Sequence, residues 1–216
     1  MDVHASEKEQ IESLKKWWKE NGSSLITGVL LGVSLIFGVR AWMNWKDTQV
    51  ENASNTYAML QTALKQNDFE MVRNQANELI SQSTDTGYAV LAAMILAKLA
   101  VQDGEMAAAQ AQLEWALEHA KTPQASNIAR TRLVRVLIDE KDYAGAGDVL
   151  TQATDIGEYR GVYAELKGDL AFAQGDKAVA AAAYREALDA LPATASNMTY
   201  LRVKYENLAG TDTASQ

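Results

Sequence analysis

Between Glu20 and Arg40 lie 19 residues without a charged side chain, and this run restricts the available folds more than any other part of the sequence. Residues 23–39 within it are mostly Leu, Ile, Val and Phe, with Gly, Ser and Thr between them. As an α-helix the run would be about 28 Å long, close to the roughly 30 Å hydrocarbon core of a bilayer. Indole rings prefer the boundary between lipid and water, and four of the five tryptophans flank the run: Trp17, Trp18, Trp42 and Trp45. The pattern predicts a transmembrane helix over residues 23–39.

Three other interpretations of this run are disfavoured by its borders and composition. A buried core helix could be equally apolar, but it has no need of tryptophan pairs and sharp charged borders. A cleaved signal peptide needs small residues in an A-x-A-like pattern, which residues 39–42 lack. A helix lying on the membrane surface needs a polar face, and this stretch has none beyond Ser and Thr.

The lysines and arginines around the run predict its orientation. Four lysines precede it within the first 19 residues, whereas only Arg40 and Lys46 follow it within the next twenty. Because cytoplasmic flanks carry the excess of Lys and Arg, the N-terminus is expected in the cytoplasm and the C-terminal part outside it. In a Gram-negative cell that part would lie in the periplasm. Residues 47–216 contain 23 acidic and 14 basic residues, a net charge of −9, which disfavours nucleic-acid binding.

Small residues recur within the predicted span. Gly28 and Gly32 form a G-x-x-x-G pair, and Ser34 and Gly38 repeat the spacing. Small residues let a second helix approach closely, so we expect a helix-docking face here. The alternative is that glycine is simply common in membrane helices.

The rest of the chain is expected to be all α-helical. The whole chain has 36 Ala but only 2 Pro, and the apolar residues after the span recur with a period of 34 to 37 residues. Four helical hairpins are predicted to start near residues 53, 90, 127 and 161. Their turns are expected at Asn67-Asp68, Gly104-Glu105, Lys141-Asp142 and Gly175-Asp176, with small Ala residues where the second helix crosses the first.

The last hairpin has the most specific pattern. Tetratricopeptide repeats carry Gly, Gly, Ala, an aromatic residue, Ala and Pro at the positions that are here Gly168, Gly175, Ala180, Tyr184, Ala187 and Pro192. The early Trp of that pattern is replaced by Ala164. A final helix near residues 196–208, with Ser196 as N-cap and Met198, Leu201, Tyr205 and Leu208 on one side, is expected to cover the last hairpin.

In such a stack the first helix of each hairpin lines the concave face. The residues at matching positions are mostly apolar, which favours a groove for extended or helical peptide segments. They are Leu91, Met94, Val101, Ile128, Arg135, Ile138, Val162 and Phe172. The alternative is that several of them are buried by neighbouring repeats or by the terminal helix.

The residue inventory does not favour an enzyme, a cofactor site or a metal site. The chain has no Cys and only two His, and it lacks the phosphate-loop, dinucleotide and H-E-x-x-H motifs. His119, the one histidine beyond the N-terminal segment, follows Glu118 on a predicted helix without a nucleophile nearby. It is expected to be a solvated residue at a helix end.

Taken together, these segments resemble the YfgM family, the ancillary subunits of the bacterial SecYEG translocon. The resemblance covers nearly the whole chain. It includes Trp17-Trp18, the Glu20-Asn21-Gly22 start of the span, residues 88–92 and 108–113, and Leu166, Gly168, Asp169, Leu170, Gly175, Asp176 and Lys177 in the last repeat.

The resemblance implies a single-pass inner-membrane protein that works beside SecYEG and the membrane-anchored chaperone PpiD. It would hand translocating or unfolded polypeptides to periplasmic chaperones, and its cytosolic segment would restrain the regulator RcsB. The residue patterns by themselves leave open a scaffold for another envelope complex, such as the cell-division or cytochrome-maturation machinery.

We therefore expect five segments along the chain. They are a cytoplasmic N-terminal segment at residues 1–22, the transmembrane helix at 23–39, a linker or juxtamembrane helix at 40–52, the tetratricopeptide-like repeat domain at 53–209 and a frayed tail at 210–216.

Overall fold

The computed structural model describes the backbone of residues 3–212 and the side chains of residues 9–208. Within that backbone there are α-helices and one 3-10 turn, Gly157–Tyr159, but no strand, so the all-α prediction is confirmed. The helices are α1 (Val3–Gln66), α2 (Phe69–Gln82), α3 (Gly87–Asp103), α4 (Met106–His119), α5 (Pro123–Asp139), α6 (Tyr143–Thr151), α7 (Arg160–Ala173), α8 (Lys177–Ala190) and α9 (Met198–Asp212).

The chain divides into two units, Met1–Glu51 and Asn52–Gln216. The described part of the first unit is helical and contains the uncharged run. By length and composition this helix can cross a membrane. Only 6% of its most apolar stretch is buried by protein. Leu31, Leu35 and Phe37 are each about two-thirds exposed, as expected for side chains that lipid covers.

Four helical hairpins and a final helix form the second unit. Residues 52–66 of α1 pair with α2, and α3 with α4, α5 with α6, and α7 with α8 follow. The predicted starts at residues 53, 90, 127 and 161 each lie within the first helix of a hairpin. Each hairpin packs against the next, so the buried side chains form successive clusters along the stack.

The four hairpin turns share one backbone geometry. A residue in the left-handed region ends each first helix, and the next amide bonds back to a carbonyl five residues earlier at 2.8–3.0 Å. The left-handed residues are Asn67, Gly104, Lys141 and Gly175. In three of the turns the following Asp caps the second helix by accepting a hydrogen bond from the amide three residues on: Asp68, Asp142 and Asp176. The predicted turn positions are confirmed.

The second helices bury the small Ala residues and the larger apolar residues that recur along the repeats. Ala109, Leu113 and Ala116 of α4 are at most 2% exposed, and Ala180, Tyr184 and Ala187 of α8 are buried to the same degree. The equivalent residues of α2 and α6 are also buried: Val72, Ala76, Leu79, Ala146 and Leu150. Ala153 is the exception, because α6 ends at Thr151 and leaves it in the following loop, half-buried.

The final helix differs from its prediction at both ends. It begins at Met198, and the carbonyl of Asn197 accepts the first helical bond from Leu201, so the N-cap is Asn197 and Ser196 lies outside the helix. Leu201 and Leu208 are buried as expected. The helix continues to Asp212, because one glycine costs a helix only about 1 kcal/mol and does not end it. Residues 213–216 of the expected tail lie outside the described part.

Candidate functional site

A groove of about 630 Å³ lies in the second unit, between α5, α7, α8 and α9. Three of the eight residues predicted for peptide binding line it: Arg135, Ile138 and Phe172. Their neighbours in the lining come from all four helices: Asp139, Glu165, Asp169, Ala173, Tyr184, Tyr200, Val203, Lys204, Asn207 and Leu208.

The structure places the other five predicted residues elsewhere. Leu91 and Val101 on α3 are exposed but do not line this groove. Ile128 and Val162 are half-buried against the main core cluster. Met94 is 3% exposed and belongs to that core, because α3 packs against both α2 and α4 and has little free surface. Met94 is therefore a core residue rather than part of an accessible groove.

Large apolar side chains line the open side of the groove. Phe172 is 54% exposed, and Tyr200 and Val203 of α9 are 64% and 47% exposed. Sequence reasoning missed the two α9 residues because it followed only the buried side of that helix. The sequence does contain a signal for them. Tyr200 and Val203 are a second pair of large apolar residues, three positions apart, on a different side of the helix from Leu201 and Leu208.

A network of charges forms the floor of the groove. The Lys204 ammonium donates to Asp169 Oδ1 at 2.7 Å and to Glu165 Oε1 at 3.1 Å. The second oxygen of Glu165 accepts from Asn197 Nδ2 at 2.7 Å, and the residue is 6% exposed. The Tyr184 hydroxyl donates to Asp169 Oδ1 at 2.8 Å. Both oxygens of the buried carboxylate thus accept a hydrogen bond, which is what makes its burial tolerable.

The network shifts the pKa of two of its members. Burial lowers the pKa of Lys204, but the hydrogen bonds and charges of Asp169 and Glu165 outweigh it, so the pKa is raised overall. Burial raises the pKa of the Tyr184 hydroxyl, and the neighbouring Asp169 and Glu165 charges raise it further. At neutral pH the network therefore contains a charged lysine and a protonated tyrosine.

Sequence reasoning did not find this network. Lys204 lies 39 residues from Glu165 and 35 from Asp169, and no motif links them. Only the docking of α9 against the last hairpin brings the three side chains together.

The small residues of the span lie on two sides of α1 instead of one. At 3.6 residues per turn, the Gly28–Gly32 pair is separated from the Ser34–Gly38 pair by about 120° around the helix axis. A Cβ built at Gly28, Gly32 or Gly38 would meet no atom within 4 Å. A helix docked on one pair would therefore leave the other pair free.

Among the described side chains, no group of three or more His, Cys, Asp or Glu residues is arranged to hold a metal ion. His119 stacks on Trp115 at the end of α4, with ring centroids 4.0 Å apart, and its Nδ1 lies 2.9 Å from the Trp115 carbonyl oxygen. These contacts are local to one helical turn.

Comparison with known proteins identifies matches over nearly the whole chain. The model of the tetratricopeptide repeat-like domain matches residues 15–210. An ancillary SecYEG translocon subunit of Haemophilus influenzae is 31% identical over 188 residues, which cover 87% of this chain and 91% of the relative. The protein of the same name from Escherichia coli is 28% identical over 97% of this chain and 100% of the relative. One from Neisseria gonorrhoeae is 23% identical over 96% of this chain.

Proposed function

This chain belongs to the tetratricopeptide repeat-like family of ancillary SecYEG translocon subunits, and from that premise we propose that it holds polypeptides beside the translocon. In this proposal it is a non-enzymatic, single-pass inner-membrane protein that associates with SecYEG. It receives newly translocated chains and passes them, with PpiD, to periplasmic chaperones. The observation that carries the proposal is the groove between α5, α7, α8 and α9, which presents exposed apolar side chains next to charged groups.

The membrane helix gives this function its location. An anchored binding domain meets chains emerging from a neighbouring channel at a much higher effective concentration than a freely diffusing one. The proposed topology has residues 1–22 in the cytoplasm, where they would contact RcsB, and the repeat domain in the periplasm. The lysine excess before the span supports this orientation.

A pair of reporter fusions after Gln216 tests the topology. Alkaline phosphatase, which is active only after export, is expected to be active, and a reporter that works only in the cytoplasm is expected to be silent. The opposite result would overturn the periplasmic placement and the proposed contact with translocating chains.

Site-specific photocrosslinking tests the binding function. A photoreactive phenylalanine analogue at Phe172, which is 54% exposed in the groove, is expected to crosslink to a stalled translocating chain. The matched control replaces Val179, which is 53% exposed on α8 and outside the groove. Equal yields at both positions, or none at Phe172, would contradict the proposal.

The same experiment addresses the alternative of a scaffold for another envelope complex. In that case the adducts at Phe172 would contain one resident protein of the cell-division or cytochrome-maturation machinery. Their yield would not depend on ongoing translocation.

A further inference from the structure

The charged groups around the groove do not balance. Asp139, Glu165 and Asp169 contribute three carboxylates, whereas Arg135 and Lys204 contribute two cations. The groove therefore carries a formal charge of −1. This excess is local and has the same sign as the net charge of the whole segment after the membrane helix.

The Lys204 ammonium is already engaged by the protein itself. It bonds both Asp169 and Glu165, and its side chain is only 19% exposed. The trio of Lys204, Glu165 and Asp169 still keeps one negative charge. Even where Arg135 neutralises Asp139 one helical turn away, this excess remains in the groove.

Two carboxylates in the groove have oxygens without a hydrogen bond among the described residues. Asp169 accepts from Lys204 and Tyr184 through Oδ1 alone, and among residues 9–208 no donor bonds its Oδ2. Asp139 is exposed, and among residues 9–208 its carboxylate has no hydrogen bond or ion pair. Within the described part of the chain, Arg135 donates just to the Thr131 carbonyl of its own helix, at 3.3 Å. A carboxylate oxygen can only accept, so an occupant that bonds these oxygens has to bring donors.

An aromatic face lies beside these acceptors. Phe172 follows Asp169 by three residues on α7, which makes the two side chains neighbours on the helix surface. A cation near Asp169 would also lie near the exposed ring of Phe172, and both interactions favour it.

We infer that the groove selects polypeptide segments in which a Lys or Arg lies next to an apolar or aromatic residue. The apolar side chain packs against Phe172, Tyr200 and Val203, and the cation is bound by the open oxygens of Asp169 and Asp139. This inference deepens the proposed function and rests on it.

Binding of matched peptides to the full-length protein tests the inference. The protein is placed in nanodiscs of zwitterionic lipid, so that the bilayer does not capture basic peptides. Three fluorescent peptides share one sequence with two Phe residues and differ at only two positions. Both positions are Lys in the first peptide, Gln in the second and Glu in the third. For an exposed charge pair we expect the Lys peptide to bind about two- to fivefold tighter than the Gln peptide at ~0.1 M salt. The Glu peptide should bind weakest, and the preference should shrink at ~1 M salt.

Two variants separate the groove from the general charge of the protein. Asp139→Asn should reduce the preference for Lys, whereas Glu140→Gln removes the same charge one residue away, outside the groove lining, and should preserve it. Phe172→Ala should weaken all three peptides. Equal binding of the three peptides, still dependent on Phe172, would overturn the inference and leave the proposed function standing. A Lys preference that Asp139→Asn leaves intact would also overturn it. Failure of every peptide to show Phe172-dependent binding would instead contradict the proposed function.

Discussion

Gly168 contributes to the candidate site by making room for the ring of Tyr184. A Cβ at this position would lie 2.4 Å from two ring atoms of Tyr184, which is closer than real contacts allow. The absence of a side chain lets the Tyr184 ring lie against the backbone of α7. From there its hydroxyl reaches Asp169 in the groove floor. The glycine is thus needed for close approach of two helices.

Gly168→Ala is expected to lower the free energy of unfolding by about 1–3 kcal/mol, because Tyr184 is 2% exposed and has little room to move. Gly147→Ala is the matched control. Its new Cβ would meet only Leu170 at 3.8 Å, so the better helix propensity of Ala should raise stability by up to about 1 kcal/mol. Urea unfolding of the full-length protein in detergent, followed by circular dichroism, measures both. Similar effects of the two substitutions would contradict the close-approach argument.

At the scale of elements, α9 has two roles. Its buried side, with Leu201 and Leu208, covers the apolar surface that the last hairpin would otherwise expose. Its Lys204 supplies the only cation within hydrogen-bond distance of Glu165 among the described side chains. The helix that closes the stack therefore also completes the groove floor, and the two roles depend on the same docked position.

The network on α9 predicts that stability falls in alkaline solution. The pKa of Lys204 is raised above its ordinary value of 10.5, so the folded chain keeps a proton that the unfolded chain loses. Tyr184 acts in the same direction, since its pKa is also raised. When the unfolded state binds fewer protons, stability decreases as pH rises. The decrease should begin near pH 10, where the unfolded groups start to lose their protons.

Unfolding by urea at pH 7 to 11 checks this prediction. Lys204→Met should reduce the alkaline decrease and leave the part that is due to Tyr184. At pH 7 this variant should lose on the order of 2 kcal/mol of stability, because Glu165 loses a charged partner. Lys167→Met, an exposed lysine on α7, should leave both the slope and the stability nearly unchanged. The pKa argument would be contradicted if the wild-type protein kept constant stability up to pH 11.

For the repeat unit as a whole, stability depends on how each hairpin contacts the next. Asn127 on α5 is 5% exposed and links three parts of the chain. It accepts from the Tyr163 hydroxyl on α7 at 2.8 Å and donates to the Asp155 carbonyl at 2.7 Å. Burial raises the pKa of Tyr163, so this donor stays protonated at neutral pH. The third and fourth hairpins are therefore joined by a polar link within an apolar interface.

Asn127→Ala is expected to cost about 1–3 kcal/mol, because it leaves the Tyr163 hydroxyl buried without its acceptor. In a stack of repeats, a loss of stability in one hairpin affects mainly the hairpins that contact it. Hydrogen exchange should therefore speed up in α5 to α8 and change little in α2. Gln124→Ala, an exposed change on the same helix, is the control. Uniform acceleration across all hairpins would show that the unit unfolds as one cooperative block.

Much of the architecture could be read from local patterns. An uncharged run of bilayer length predicts a helix that can cross a membrane. This prediction does not depend on the rest of the chain, because it requires only the hydropathy and the length of the run. The four turns were also predictable. Glycine or a polar residue precedes an acidic residue in each, and that pair ends one helix and starts the next within a few residues.

The groove could be predicted only in part, since Arg135, Ile138 and Phe172 were found and Glu165, Asp169, Tyr200 and Lys204 were not. The sequence by itself determined the helices, the turns and the apolar span, because each depends on residues close together in the chain. Only the tertiary structure decided that Met94 is buried, that Phe172 is open and that Lys204 reaches two carboxylates. Those outcomes depend on which distant helix covers each side, and periodicity shows that a side is apolar without showing what packs against it.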